Sequence, residues 1–270
     1  MLNIKPLKRF GQNYLTDNNI VNKIIDEVAP KPDESIVEIG PGRGILTKKI
    51  FDLNPNLISV EIDRRVKEEL TAALPGLRLI NGDFLDLDLN RLRKDQKKLR
   101  IVGNIPYNLT SPILFKMIGS NKIIQDSVLM VQMEVAQRMT GKKGTKDYGI
   151  LAVLLQYFAD VKICFKVSPN VFYPKPKVFS AVIHIFFKDL DSGDEENDLF
   201  VKIVKSSFGN RRKTLKNSLS NSIFSPINFF DSGIDLSLRA EQLEPGDFVK
   251  LTKFALNKIR HENILLNSSQ

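Results

Sequence analysis

The sequence predicts an α/β protein: a mostly parallel sheet with helices on both faces, plus a small all-helical C-terminal domain. Three observations lead there. Short apolar runs alternate with helical periodicity from residue 20 to residue 187. The first such run ends in a glycine-rich turn that opens a helix. A stretch of six acids and no base, 189–200, then separates this region from one with only helical periodicity and turns.

The elements follow in order. Ile20–Val28 repeats apolar residues at helical spacing, and Ser35–Ile39 is a short apolar run ending in Gly-Pro-Gly, read as a buried strand. Gly44–Leu53 is helical, Leu57–Ile62 is a strand, and Arg64–Leu74 is a helix stopped by Pro75-Gly76. Leu77–Ile80 and Leu99–Val102 are strands, Pro112–Ile118 is a helix, Ser127–Val131 a strand and Gly149–Phe158 a helix. Val161–Val167 and Val178–Phe187 are late strands around a Pro-rich loop. The expected division is a domain over 1–188, an acidic linker over 189–200 and a helical domain over 201–270. An acidic surface loop inside one domain is the alternative for 189–200.

With 40 Lys+Arg against 31 Asp+Glu the chain carries +9, which favours a polyanionic partner, nucleic acid or anionic membrane. One cysteine, Cys164, excludes an internal disulfide, and with only His184 and His261 a Cys/His zinc site is not expected. No metal is expected, although carboxylate-only sites stay formally open. The longest apolar run, Ile150–Leu155, is far short of a membrane span, and the N-terminus lacks the apolar core of a signal peptide. A cytoplasmic protein with no membrane partner is the expectation.

The strongest local signal is Glu38-Ile39-Gly40-Pro41-Gly42-Arg43-Gly44, directly after a strand. A dinucleotide fingerprint would need glycine where Ile45 stands, and the Gly-Lys-Ser/Thr of a phosphate-binding loop is missing. The turn therefore suits a nucleoside ligand without pyrophosphate, with Gly40 and Gly42 letting it approach the backbone. Glu61 ends the second strand and can accept from a ribose diol. Asp83 follows the third strand, where an acceptor can read an adenine amino group. After the fourth strand comes Asn104-Ile105-Pro106-Tyr107. The Asn104 side-chain carbonyl and the Ile105 backbone carbonyl can accept from an exocyclic amine, Pro106 stiffens the turn, and Tyr107 offers a ring for a base to stack on.

These segments resemble the bacterial rRNA adenine dimethyltransferases, over nearly the whole chain. The likeness is carried by Phe10-Gly11-Gln12-Asn13-Tyr14-Leu15, Glu38 to Thr47, Gly82-Asp83-Phe84, Asn104 to Pro112, and Gln132 to Met139. Pro174-Lys175-Pro176-Lys177-Val178 and Arg211-Arg212-Lys213-Thr214-Leu215 complete the ordered set. The resemblance implies a Rossmann-like methyltransferase sheet with S-adenosylmethionine as cofactor. It implies that Asn13 and Leu15 lie over the cofactor, that Asn104 stands between cofactor and target amine, and that Phe172 covers the other face of the target adenine. Tyr14 stands where the family more often has Phe. The implied reaction is dimethylation of the N6 amines of two adjacent adenosines near the 3′ end of 16S rRNA, within the immature small ribosomal subunit, by a monomer. Arg211, Arg212, Lys213 and Lys216 form a basic cluster expected to dock RNA, with Arg212 and Lys216 on one helix face. Two alternatives remain at this point: a large-subunit rRNA adenine methylase of the macrolide-resistance type, and a non-catalytic RNA-binding assembly or transcription factor on the same fold.

Overall fold

The computed structural model describes residues 4–7, 10–210 and 212–262. The chain forms two compact units, residues 1–136 with 159–188, and residues 137–158 with 189–270.

The first unit opens with strand β1 (Tyr14–Leu15) and helix α1 (Asn18–Val28). Asp17 starts the helix by accepting from the amides of Asn19 and Ile20. Strands and helices then alternate: β2 (Ser35–Ile39), α2 (Ile45–Leu53), β3 (Ile58–Glu61), α3 (Arg64–Ala73), β4 (Arg78–Asn81), β5 (Leu99–Asn104), α4 (Thr110–Gly119) and β6 (Ile124–Gln132). After α5 (Met133–Met139) and α6 (Ile150–Phe158) come β7 (Ala159–Val167), β8 (Phe172–Tyr173) and β9 (Ser180–Phe187).

Seven strands make one sheet in the order β4-β3-β2-β5-β6-β9-β7. The first five run parallel, and β9 lies antiparallel to both β6 and β7. All five residues of β2 are buried, as a central parallel strand requires. On one face Ile36, Val102, Val128 and Val182 pack with Val21 and Ile24 of α1, Ile50 of α2 and Val66 and Leu70 of α3. The alternate strand residues Val37, Ile101, Leu129 and Ile183 are equally buried, so the opposite face is covered too. The chain leaves β2 toward β3 on one side and returns to β5 on the other. That reversal opens a crevice over the carboxyl ends of β2 and β5, where ligands of such sheets bind.

At the other end of β5 and β6 lies a buried ion network. Arg100 holds Asp126 through Nε and Nη2, both at 2.8 Å, and Glu34 through Nη1 at 2.9 Å. His184 bridges Asp126 (3.0 Å) and Glu27 (2.7 Å). These contacts tie β5, β6 and β9 together in one register, because each partner would be left buried and unpaired by a shift.

The second unit is helical: α6, α7 (Asp194–Ser207), α8 (Leu215–Ser220) and α9 (Pro245–Glu262). Phe200 of α7 stacks on Tyr157 at 4.0 Å, and Phe208 stacks on Phe248 at 5.8 Å. Tyr148 donates its hydroxyl to the Leu243 carbonyl at 2.8 Å.

Two expectations about organisation are corrected. Residues 137–158 do not belong with the sheet, because α6 packs its apolar surface against α7 and α9. Residues 189–200 are not a linker either: α7 begins inside them at Asp194. Three acids, Asp194, Glu195 and Glu196, occupy its first turn, where they face the positive end of the helix dipole. Leu199, Phe200, Ile203 and Val204 then bury the helical stripe.

Candidate active site

Loops after β2, β3, β4 and β5 converge with the segment Phe10–Tyr14 on one cavity of about 350 Å³, a size typical of small-molecule sites. Asn13, Gly40, Gly42, Glu61, Asp83, Asn104, Ile105, Pro106 and Tyr107 all line it.

The glycine turn is required twice over. Gly40 and Gly42 have φ of 68° and 54°, the left-handed region that side chains disfavour. A Cβ on Gly42 would also stand 2.9 Å from the Tyr14 ring. Tyr14 is itself buried, its hydroxyl without a partner among the described residues, and burial pushes its pKa up to about 12.

Glu61 ends β3 only 5 % exposed. Burial raises its carboxyl above the ordinary range, opposed by the amides of Asp63 (2.9 Å) and Gly42 (3.4 Å), which donate to it. Those donors hold the carboxylate in the cavity wall, and each oxygen keeps a further lone pair that can accept. Asp83 accepts from the Leu85 amide with Oδ1 at 2.9 Å. Its second oxygen remains as an acceptor.

Asn104 ends β5. Its Nδ2 donates to the Asn13 carbonyl at 2.8 Å. A carbonyl can only accept, so this bond decides which way the amide points and presents Oδ1 as an acceptor. Ile105 is 1 % exposed and its side chain is apolar, so its backbone carbonyl is the group it can offer a ligand. The Tyr107 hydroxyl pairs with Ser180 Oγ at 2.7 Å, so the ring is pinned and half-buried.

The cavity fits S-adenosylmethionine by its donor set. Its described lining carries two carboxylates and no Lys, Arg or His. Such a wall repels phosphates and suits a ligand with a ribose diol, an adenine amine and positive charge. Among the described residues no His/Cys/Asp/Glu group is placed to hold a metal.

Residues 3–257 match the family described as "Ribosomal RNA adenine dimethylase". The chain belongs to this family. It is 44 % identical over 246 residues to the ribosomal RNA small subunit methyltransferase A of Chlorobium phaeobacteroides strain BS1, covering 91 % of this chain and 92 % of that one. To the protein of the same name from Xylella fastidiosa strain 9a5c it is 42 % identical, covering 93 % and 96 %. Among solved structures, a dimethyladenosine transferase from Plasmodium falciparum superposes with a TM-score of 0.71 at 24 % identity, covering 93 % and 98 %. The 23S rRNA methyltransferase ErmE gives 0.64 at 25 % identity, covering 90 % and 99 %.

In this dimethylase two expected site residues, Leu15 and Phe172, are absent from the lining of the main cavity. Leu15 and Phe172 face each other across a two-residue antiparallel ribbon of β1 and β8. Leu15 lines a smaller neighbouring cavity of about 40 Å³, with Glu38, Gly103 and Asn104. Phe172 is 5 % exposed and packed in the apolar core with Leu15, Val21 and Ile24, and it is not part of the main cavity's lining. Alternation along the ribbon puts its neighbour Tyr173 outward instead, 54 % exposed.

Sequence reasoning passed over several supports. Gln12 donates to Asp63 at 3.3 Å, and Asp63 is clamped by Arg65 at 2.7 and 3.0 Å, which ties the N-terminal segment to the loop after β3. Asp63 caps α3, and an acid directly before a helical run is the signal that could have found it. Nothing in the sequence pointed to Ser180. Glu38 lies 1 % exposed, accepting from Thr47 and Ser59, and burial pushes its carboxyl up to about 7.

The basic cluster also differs from expectation. Helix α8 starts only at Leu215, capped by Thr214, so Arg212 and Lys213 sit in the preceding turn and not on a face shared with Lys216. All three are exposed, and Arg211 lies outside the described residues.

The ring of Tyr107 and its hydroxyl should be separable. Tyr107→Phe is expected to lose about 1 kcal/mol of stability, because Ser180 keeps a buried hydroxyl with one partner fewer. Adding Ser180→Ala should recover most of that in urea unfolding. Methylation should survive in both, since the ring remains; a dead Tyr107→Phe would assign the hydroxyl a chemical role.

Proposed function

We propose that this chain is an S-adenosylmethionine-dependent 16S rRNA (adenine-N6,N6)-dimethyltransferase of small-subunit ribosome biogenesis. It places two methyls on each of two adjacent adenosines near the 3′ end of the RNA. The observation that carries the reading is Asn104, on the cavity that Glu61 and Asp83 also line, whose Nδ2 is committed to the Asn13 carbonyl so that its Oδ1 remains as an acceptor.

Glu61 would hold the ribose diol, Asp83 the adenine amine, and the Gly40–Gly42 backbone the body of the cofactor. When bound, S-adenosylmethionine supplies an electrophilic methyl group on a sulfonium. The target N6 amine is a poor nucleophile, because its lone pair is delocalised into the ring. Asn104 Oδ1 and the Ile105 carbonyl accept its two N–H bonds and favour the pyramidal nitrogen of the transition state. Tyr107 stacks on the flipped base and sets its plane. Each transfer would form an N–C bond as the methyl–sulfur bond breaks to leave the neutral thioether, and the nitrogen would shed one proton to water. After the first methyl one N–H remains, and either carbonyl can still accept it, so the same turn serves the second transfer.

The names of the relatives at 44 % and 42 % identity favour the small subunit, against 25 % for the 23S enzyme. The intact Asn104-Ile105-Pro106-Tyr107 turn speaks against a non-catalytic factor. The test is methyl transfer from labelled cofactor to immature small subunits, followed by mass analysis of the nucleosides. Dimethyladenosine in 16S rRNA is the expected product; label in 23S rRNA, or none, would reject the reading.

The second unit contributes to RNA docking through Arg211, Arg212, Lys213 and Lys216. Replacing all four by Ala should make the log–log salt slope of RNA binding shallower by roughly 3, while cofactor affinity holds. An unchanged slope would reassign them to a solvated surface.

A further inference from the structure

The chain between β7 and β9 carries what the catalytic cavity lacks. From Val161 to Phe187 there is no acid, and lysines stand at 162, 166, 175 and 177. Lys162 is committed to Glu27 at 3.3 Å. Lys166, Lys175 and Lys177 are exposed and form no ion pair among the described residues.

Beside them three large apolar side chains reach solvent within seven positions: Tyr173 (54 %), Val178 (43 %) and Phe179 (45 %). Clustered exposure of this kind marks an interaction surface. Lys166 Nζ stands 3.7 Å from the Phe179 ring centroid, and the Arg43 guanidinium 5.2 Å from that of Tyr173. Ser168, Asn170, Lys175 and Lys177 line a hollow next to Phe179.

This ledge is fastened to the catalytic turn. The Phe179 carbonyl accepts from the Met133 amide at 3.0 Å, and the next residue, Ser180, holds the Tyr107 hydroxyl at 2.7 Å. Its other end is paired to the N-terminal segment, Tyr173 to Tyr14.

We infer that this ledge, Lys166 to Phe179, holds the single-stranded nucleotides beside the target adenosine, with bases on Tyr173 and Phe179 and phosphates on Lys166, Lys175 and Lys177. The inference rests on the proposed RNA substrate and deepens it. Exposed aromatic rings interleaved with cations that form no ion pair among the described residues match unstacked bases on a polyanionic strand, with Lys166 and Arg43, now over the Phe179 and Tyr173 rings, close enough to turn to its phosphates. Extruding the target base breaks its stacking with its neighbours, and the ledge is where those neighbours can stack again. Lysine-rich, acid-free surfaces are unlike the cores of protein interfaces, which are depleted in Lys.

The test uses the full chain and a hairpin RNA with a single-stranded tail carrying 4-thiouridine next to the target adenosine. Irradiation should cross-link the tail within residues 166–179. In Lys166→Ala/Lys175→Ala/Lys177→Ala the log–log salt slope should become shallower by about 2, the single-strand value for three phosphates. In Tyr173→Ser/Phe179→Leu the KM for RNA should rise about 10–100-fold, with kcat within roughly threefold and cofactor affinity unchanged. Cross-links elsewhere, with slope and KM unchanged in both variants, would overturn the ledge. Cross-linking and salt slope need no turnover, so they judge the ledge by themselves. Absence of methyl transfer in the wild-type chain counts separately, against the proposed activity.

Discussion

Asn104→Ala is expected to slow single-turnover methylation about 10²–10³-fold, the usual consequence of removing one preorganised polar contact to a transition state. With RNA and cofactor both saturating, the loss must show in the chemical step. Two contributions act together. One acceptor disappears from the target amine, and the Ile105 carbonyl alone cannot engage both N–H bonds. The Asn13 carbonyl also loses the donor that held it at 2.8 Å, so the segment over the cavity loosens. RNA affinity should scarcely change, because phosphate contacts dominate it. Cofactor affinity should fall modestly through the Asn13 contact. Near wild-type turnover would remove Asn104 from the mechanism.

Glu61→Ala should weaken S-adenosylmethionine by about 1.5–3 kcal/mol, roughly 10- to 150-fold, the range for hydrogen bonds to a charged group. The substitution would orphan the amides of Gly42 and Asp63, both of which donate to this carboxylate. Part of the loss would therefore come from relaxation of the glycine turn. Glu61→Gln separates the two effects: its single carbonyl keeps one acceptor, and its amide NH2 puts a donor where the other oxygen accepted. Calorimetry should order the affinities wild type, then Gln, then Ala. Unchanged binding in folded Glu61→Ala would take Glu61 out of the site.

Much of this architecture was legible because it depends on local signals. Apolar β2 followed by Gly40-Pro41-Gly42 announced a buried strand and a ligand turn. Glu61, Asp83 and Asn104 could be placed by counting strand ends, since alternating strands and helices leave little freedom in where a parallel strand finishes. The failures have a common physical origin. The ribbon that holds Phe172 was not legible, because nothing local shows that it and Tyr173 pair with Leu15 and Tyr14, more than 150 positions away. The six acids of 189–200 resembled a solvated linker, yet three of them are the first turn of α7, and the apolar stripe that buries that helix begins only at Leu199. Arg212 and Lys216 have helical spacing, but Thr214 starts the helix between them. Ser180 gave no signal, since a serine acquires its role only from the tyrosine that folding brings to it.

The ribbon of β1 and β8 has a consequence for how the enzyme is born. Tyr14 and Leu15 meet Tyr173 and Phe172, and Thr16 donates to the Val171 carbonyl through both its amide and its hydroxyl, each at 2.9 Å. The covering of the cofactor cavity thus joins the beginning of the chain to a segment made some 155 residues later. Closing so long a loop is entropically costly until the intervening sheet has brought its ends together. During translation the glycine turn, Glu61, Asp83 and Asn104 all emerge first, yet they face a cavity whose cover is still unpaired. A nascent chain stopped before Val171 therefore holds the glycine turn, Glu61, Asp83 and Asn104 but lacks the strand that pairs with the segment lining their cavity.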